Sequence, residues 1–373
     1  MKHITIYKDP TSYVAFPSIA QLADGEVLAT FREAGEISAG AARRGKHTHL
    51  DTQTRVCLVR STDGGETWDS ATKTVIYDGG LDSGAALTVL SDGVIVAALY
   101  NMWQLVPRER RHEIKGPIYY HAPQDNLLGL PLGCATIRSF DNGRTWERNL
   151  HWVAFDQAVS TLYDARTGVV ELPDGTLVWL VCDGGRLRSE RTWLVHSWDR
   201  GETWEDPCLV AVDYNGDRSP YGAINYCEPH LLSLGDGRML AMMRTEPWNE
   251  PPGEGYLYQA HSRDWGMSWG PASRTPIWGH PPHLLKLQSG AILCTYGYRR
   301  PPYGIRACLS HDDGQTWDIA HEVILRDDGL GGDLGYPYSI QRPDGTILTA
   351  YYFYGEDWVR YIAGTLWREE EVV

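Results

Sequence analysis

A chain of 373 residues with a net charge of −14 and 15 tryptophans is too acidic on average to seek a nucleic-acid backbone or an anionic membrane, so an anionic ligand needs a local basic pocket. The start, Met1 to Lys8, has no apolar h-region and no apolar run approaches the length of a membrane span, which leads us to expect a cytoplasmic protein. Seven scattered cysteines, at 57, 134, 182, 208, 227, 294 and 308, form no CxxC pair and read as buried reduced thiols, and nothing in the pattern calls for a metal or another cofactor.

In chain order, His3 to Tyr7 reads as a strand with no partner close by in sequence. From Phe16 an apolar strand runs into a tight turn at Asp24-Gly25, a second strand follows over Val27–Phe31, and a third leads into Ser61-Thr62-Asp63-Gly64-Gly65-Glu66-Thr67-Trp68. That last pattern, S-x-D-x-G-x-T-W, an Asp-box, returns at Ser139–Trp146, Ser197–Trp204, Ser262–Trp269 (with Ser268 for the threonine) and Ser310–Trp317. Its Asp, its hydroxyls and its glycine suit a turn, and its Trp suits packing beneath it, so the motif reads as structural. The turn between the first two strands recurs at Asp92-Gly93, Asp174-Gly175, Asp236-Gly237, Ser289-Gly290 and Asp344-Gly345.

Six such hairpin units, each with a third strand and an outer strand, predict an all-β fold, a six-bladed β-propeller over residues 1–373 as one domain. The sixth unit ends after Arg360–Trp367 with no Asp-box and no outer strand, and the segment His3–Tyr7 is expected to fill that place and close the ring. The Asp-boxes then lie on one face, while the starts of first strands and ends of second strands lie on the other. Two long connections on that other face, Glu33 to Thr54 and Trp103 to Gly133, are expected to form pocket walls. The second carries Arg108, Arg110, Arg111, His112, Tyr119, Tyr120 and His121.

Counting eight residues back from each turn gives Phe16, Gly84, Arg166, Glu228, Pro281 and Tyr336 as equivalent positions at the mouth of the central channel. Counting eight forward gives Arg32, Tyr100, Cys182, Arg244, Gly297 and Tyr352. A carboxylate such as Glu228 at an inner position requires a partner, and Arg32, Arg166, Arg244 and Arg306 are the candidates for holding an anionic group. His280 and His283 are read as pocket lining or packing ahead of metal ligation, and the run H-x-H-x-D over His47, His49 and Asp51 is equally a solvated loop.

On these residues the chain resembles the sialidases (neuraminidases) and their BNR-repeat relatives along essentially its whole length. Cys227-Glu228 followed by Arg244 is similar to the family segment that holds a glutamate and one arginine of its carboxylate-binding triad, and Tyr336 falls where the family carries its nucleophilic tyrosine. Arg306 is a looser match to another triad arginine. The family's R-I-P motif is replaced by Ala15-Phe16-Pro17, so its first arginine is missing, with Arg32 or Arg166 as substitutes. Asp51 is the only aspartate in the interval where the family places its acid/base, with Glu33, Glu36, His47 and His49 as substitutes.

The resemblance implies an exo-glycosidase that releases a terminal acidic sugar, sialic acid or a related one, without a cofactor. A sugar carboxylate at the anomeric carbon would repel a carboxylate nucleophile, whereas a neutral phenol avoids this. With an ordinary pKa near ~10, a tyrosine then requires a base beside it, the role of Glu228 next to Tyr336. Two other readings belong to different classes: a uronate polysaccharide lyase, and a non-catalytic propeller that binds glycan or protein.

Overall fold

The turns that punctuate the sequence close hairpins by one repeated set of bonds. Gly25 N–H donates to Leu22 O at 3.0 Å and Glu26 N–H to Asp24 Oδ1 at 3.0 Å. The same bond to the residue three back recurs at Gly93, Gly175, Gly290 and Gly345, each at 2.9 Å. Every one of these glycines has a positive φ, between 83° and 90°, the region where a Cβ is unfavourable. The second strands that follow, such as Val27–Ala34 and Leu177–Asp183, are buried along their whole length, as befits strands covered on both faces.

The computed structural model describes residues 1–45, 51–80, 84–115, 120–121, 126–156, 165–183, 190–214, 224–245 and 255–371. Their strands form six antiparallel sheets in a ring, the six blades of a propeller. Blade one comprises Tyr13–Gln21, Val27–Ala34, Thr54–Ser61 and Asp69–Asp78, and blades two to five follow in chain order, with first strands Ala85–Val89, Val170–Glu171, Tyr226–Gly235 and Pro282–Lys286. Blade six comprises Gly335–Gln341, Ile347–Tyr354, Arg360–Trp367 and, as its outer strand, Lys2–Lys8. The N-terminal strand pairs with Arg360–Trp367 in a register that sets Ile4 opposite Gly364 and Thr5 opposite Ala363. The ring closure expected from the sequence is therefore present. Lys2 adds an ion pair to Glu66 of blade one at 2.7 Å.

Each Asp-box ties its own loop together and leans on the preceding blade. Asp141 accepts from Thr145 N at 2.8 Å and Thr145 Oγ1 at 2.6 Å, and Ser139 Oγ accepts from Gly143 N at 2.8 Å. The Thr145 side chain first, then Thr145 N, hold the Asp141 carboxyl at about 2, helped by Ser139 Oγ and Arg144 N. Between blades, Trp204 Nε1 donates to Thr136 Oγ1 of blade two at 3.1 Å and Trp317 Nε1 to Gln259 Oε1 of blade four at 2.8 Å. A Cβ on Gly314 would stand 2.7 Å from Leu240 of blade four, so the motif's glycine is fixed by its backbone and by its neighbour.

Two connections differ from the expectation of long loops. Within Glu33 to Thr54 the chain forms a helix, Glu36–Arg43, whose small residues Ser38, Ala39, Gly40, Ala41 and Ala42 are buried; an alanine-rich turn favours helix once one face has something to pack on. Between Trp103 and Gly133 the two middle strands of blade two continue as Ile95–Pro107 and Leu127–Ser139, paired from Trp103–Pro131 out to Pro107–Leu127. Leu105, Leu127 and Trp103 pack together along this arm, which supplies the apolar contact a projecting hairpin needs. The short turn Arg108–Glu113 at its tip is exposed. No helix among the described residues is long and apolar enough to cross a membrane.

Candidate active site

The inner strands place the expected positions by breaking their own register. In blades one, four and six the pairing of first and second strands slips between Ala15 and Ser18, between Cys227 and His230, and between Gly335 and Tyr338. The residue in each bulge, Phe16, Glu228 and Tyr336, has a positive φ of 58°, 42° and 52°. A bulge re-aims one side chain out of the pleat, and a non-glycine residue in this region costs of order 1–3 kcal/mol, a strain found most often at functional sites. Three blades thus use one local distortion at the same place.

The three side chains meet. The Tyr336 hydroxyl hydrogen-bonds to Glu228 Oε1, Arg244 Nη1 pairs with Glu228 Oε2, and the same nitrogen lies 3.3 Å from the Tyr336 oxygen. Arg244 reaches this point because it stands opposite Cys227 on the neighbouring strand. Burial alone would lower its pKa, but Glu228 and Tyr336 raise it above the ordinary value, so it is a permanent cation. Phe16 closes the other side of the phenol, edge-on to Tyr336 at 4.6 Å and to Tyr352 at 5.5 Å between centroids.

The remaining sequence-derived candidates separate. Arg166, 1% exposed, lies beneath the phenol, with its guanidinium carbon 5.1 Å from the Tyr336 centroid and 5.8 Å from that of Tyr338. Arg32 is fully buried 5.8 Å from the Tyr13 ring, at the seam of blades one and six. Arg306 is held away from the trio: it pairs with Glu322 and stacks 3.6 Å from the Tyr298 centroid. Asp51 accepts from Ser38 N at 2.8 Å and Gln53 N at 2.9 Å, so both its oxygens hold the start of the helix Glu36–Arg43 and its following turn. His280 borders Trp278 at 5.8 Å; burial, then Arg244, Arg299 and Arg300, hold it well below its ordinary pKa and so neutral. His47, His49 and Tyr119 lie outside the described residues, as do the side chains of Tyr120 and His121.

Two groups escaped the sequence reading. Arg299 lies 5.4 Å from the Tyr336 centroid, donating to Leu334 O at 3.0 Å and reaching the Tyr352 hydroxyl at 3.3 Å. The forward count had stopped at Gly297, and two residues further along the chain, just past the end of the strand Ile292–Tyr298, would have found it. Asp333 accepts from Tyr13 and Tyr352 at 3.0 Å each and from Arg360 Nε at 2.9 Å, a knot between blades six and one. The only signal for it was an aspartate three residues ahead of Tyr336.

Residues 129–348 match the BNR repeat-like domain family. Among solved structures, a protein of unknown function from Dyadobacter fermentans DSM 18053 is 26% identical, with a TM-score of 0.83 over 98% of this chain and 97% of that one. The NanB sialidase from Streptococcus pneumoniae is 12% identical, with a TM-score of 0.66 over 99% of this chain and 71% of its own. An α-L-arabinofuranosidase of Fusarium graminearum is 13% identical, with a TM-score of 0.64 over 100% and 99%. At such identity the last two show a shared fold. No curated protein matches by sequence.

Proposed function

The chain belongs to the BNR repeat-like domain family, and on that scaffold, which by itself specifies no chemistry, we propose a glycoside hydrolase that releases a terminal acidic sugar through a tyrosine nucleophile. The observation that carries this reading is the Tyr336 hydroxyl hydrogen-bonded to Glu228, with Arg244 bound to both and Arg299 beside the ring. In the reading, Glu228 takes the phenol proton as the Tyr336 oxygen attacks the anomeric carbon and the aglycone oxygen leaves with a proton from solvent; in the second half water attacks the same carbon, gives its proton to solvent, and Glu228 returns its proton to the departing Tyr336 oxygen. Arg244, paired with Glu228 Oε2, holds that carboxylate in place. Together with Arg299 it sets two cations against one carboxylate, a locally positive mouth in a chain of net charge −14, which favours a substrate carboxylate bound by charge-assisted bonds.

The test is a turnover survey with aryl glycosides of sialic acid and of uronic acids, for the native protein and for Tyr336→Phe. Release of the aryl group from at least one acidic glycoside, lost in the variant, is the expected result. Failure of the native protein to cleave any of them, together with tight binding of the intact glycosides, would replace hydrolysis with glycan binding.

A further inference from the structure

Two residues along each inner strand from the mouth lies a second ring of equivalent positions: Ser18, Ala86, Gly168, His230, His283 and Tyr338. All that carry side chains are buried, and the ring is lopsided. Blades four to six fill it with aromatics, His230 and His283 at 4.3 Å and His283 and Tyr338 at 4.0 Å between centroids. Blades one to three contribute a serine, an alanine and a glycine. The Tyr338 phenol crosses toward them, hydrogen-bonding with Ser18 and the Gly168 backbone.

Arg166 extends into this layer from above. Its Nη2 donates to Pro337 O at 2.9 Å, but Nε and Nη1, both inaccessible to solvent, have no acceptor among the described residues. Nor has it an acidic partner among those residues, where the faces of Tyr336 and Tyr338 and the Pro337 carbonyl meet its charge. His230 adds a third donor. Leu284 N–H points at its Nδ1 at 3.3 Å, which puts the ring proton on Nε2, a buried atom likewise without a partner among the described residues. Arg166 is close enough to act electrostatically on both His230 and His283.

A buried guanidinium without a counter-charge is costly, by several kcal/mol, and each buried donor left without an acceptor adds to that cost. Three donors and one positive charge exclude a metal ion and call for an anion. The occupant must be small, because Arg166 is 1% exposed and stacked between two phenols, beyond the reach of a sugar carboxylate at the mouth. We propose that a monovalent anion, chloride in ordinary buffers, is bound in the central channel beneath Tyr336 by Nε and Nη1 of Arg166 and Nε2 of His230. This site stands independently of the hydrolase reading.

Crystals of the full chain soaked in sodium bromide test it by anomalous scattering. The expected result is a bromide peak within hydrogen-bond reach, about 3.2–3.5 Å, of both Arg166 and His230, and a thermal midpoint about 2–4 °C higher in chloride than in gluconate at equal ionic strength. That difference should vanish in His230→Phe, which keeps the ring stack but deletes the donor. Water alone at the position, or equal melting in the two salts, would overturn the proposal; so would a peak on Arg166 with His230 turned away.

Discussion

At the Asp-box end of the propeller, Asp63, Asp141, Asp199, Asp264 and Asp312 each bond within their own loop, whereas at the mouth Glu228 of blade four bonds to Tyr336 of blade six. The first set are local carboxylates on hydrogen-bond donors the turn supplies, alike in all five copies. The second is a single carboxylate in a buried bulge whose partners are Arg244 on the next strand of its own blade and Tyr336 of blade six. Repetition along the chain therefore marks what builds the scaffold. Departure from it, where equivalent positions hold Phe, Gly, Arg, Glu, Pro and Tyr, marks where the blades differ chemically, and the proposed function rests on those positions.

The two ends should respond differently to change. Removing residues 1–8 strips blade six of its outer strand and reopens the ring, so the whole domain should melt in one step with a loss beyond the roughly 4 kcal/mol that single changes rarely reach; a truncated chain melting like its parent would show that closure contributes little. Tyr336→Phe, at the mouth, should leave the melting midpoint nearly unchanged while kcat falls by at least about 10³-fold. Glu228→Gln should behave alike, and the double variant should lose little more than either, as expected of residues acting as one unit. A loss of stability with turnover intact would make the mouth one more structural seam.

Smaller effects sharpen the contrast. Gly314 and Gly25 have similar positive φ values, 81° and 90°, but an added Cβ meets Leu240 at the first and nothing within 4 Å at the second. Gly314→Ala should therefore destabilise by about 1–3 kcal/mol and by more than Gly25→Ala, measured by denaturant midpoints; equal losses would mean that the Asp-box glycine serves the turn alone. Acid should act through the channel. Burial first, then Arg166, lowers His230 to about 3, and His283 and His280 are lowered as well. Their folded pKa lies below the unfolded value near ~6.5, so the folded state binds fewer protons and stability declines as pH falls below about 6.5, with a slope of up to about 1.4 kcal/mol per pH unit for each histidine. His230→Gln should flatten that slope, and a variant with an unchanged slope would remove His230 from the effect.

The architecture was legible in the sequence because it is periodic: six turns and five Asp-boxes counted the blades, and the mismatch between them located the closing strand at His3–Tyr7. The trio at the mouth was legible for the same reason, since a fixed count from each turn reached Phe16, Glu228 and Tyr336. What the count did not carry was side-chain reach. Arg306 and Arg299 are seven residues apart on one hairpin, yet Glu322 draws the first away while the second lies by the phenol. Asp51 sat in the right interval, but the helix Glu36–Arg43, invisible in a loop-like composition, takes one of its oxygens through Ser38 N and the turn at Gln53 takes the other. The bulges themselves had no signature beyond the residues they present.

The account turns on whether the Tyr336 oxygen becomes bonded to sugar. A fluorinated acidic glycoside with a good leaving group slows the second half of a double displacement, so the intermediate accumulates; digestion and mass spectrometry then locate it. The account predicts a single added sugar on the peptide that contains Tyr336, absent in Tyr336→Phe. Turnover of the unfluorinated sugar with no adduct on that peptide, or an adduct on a carboxylate instead, would contradict it.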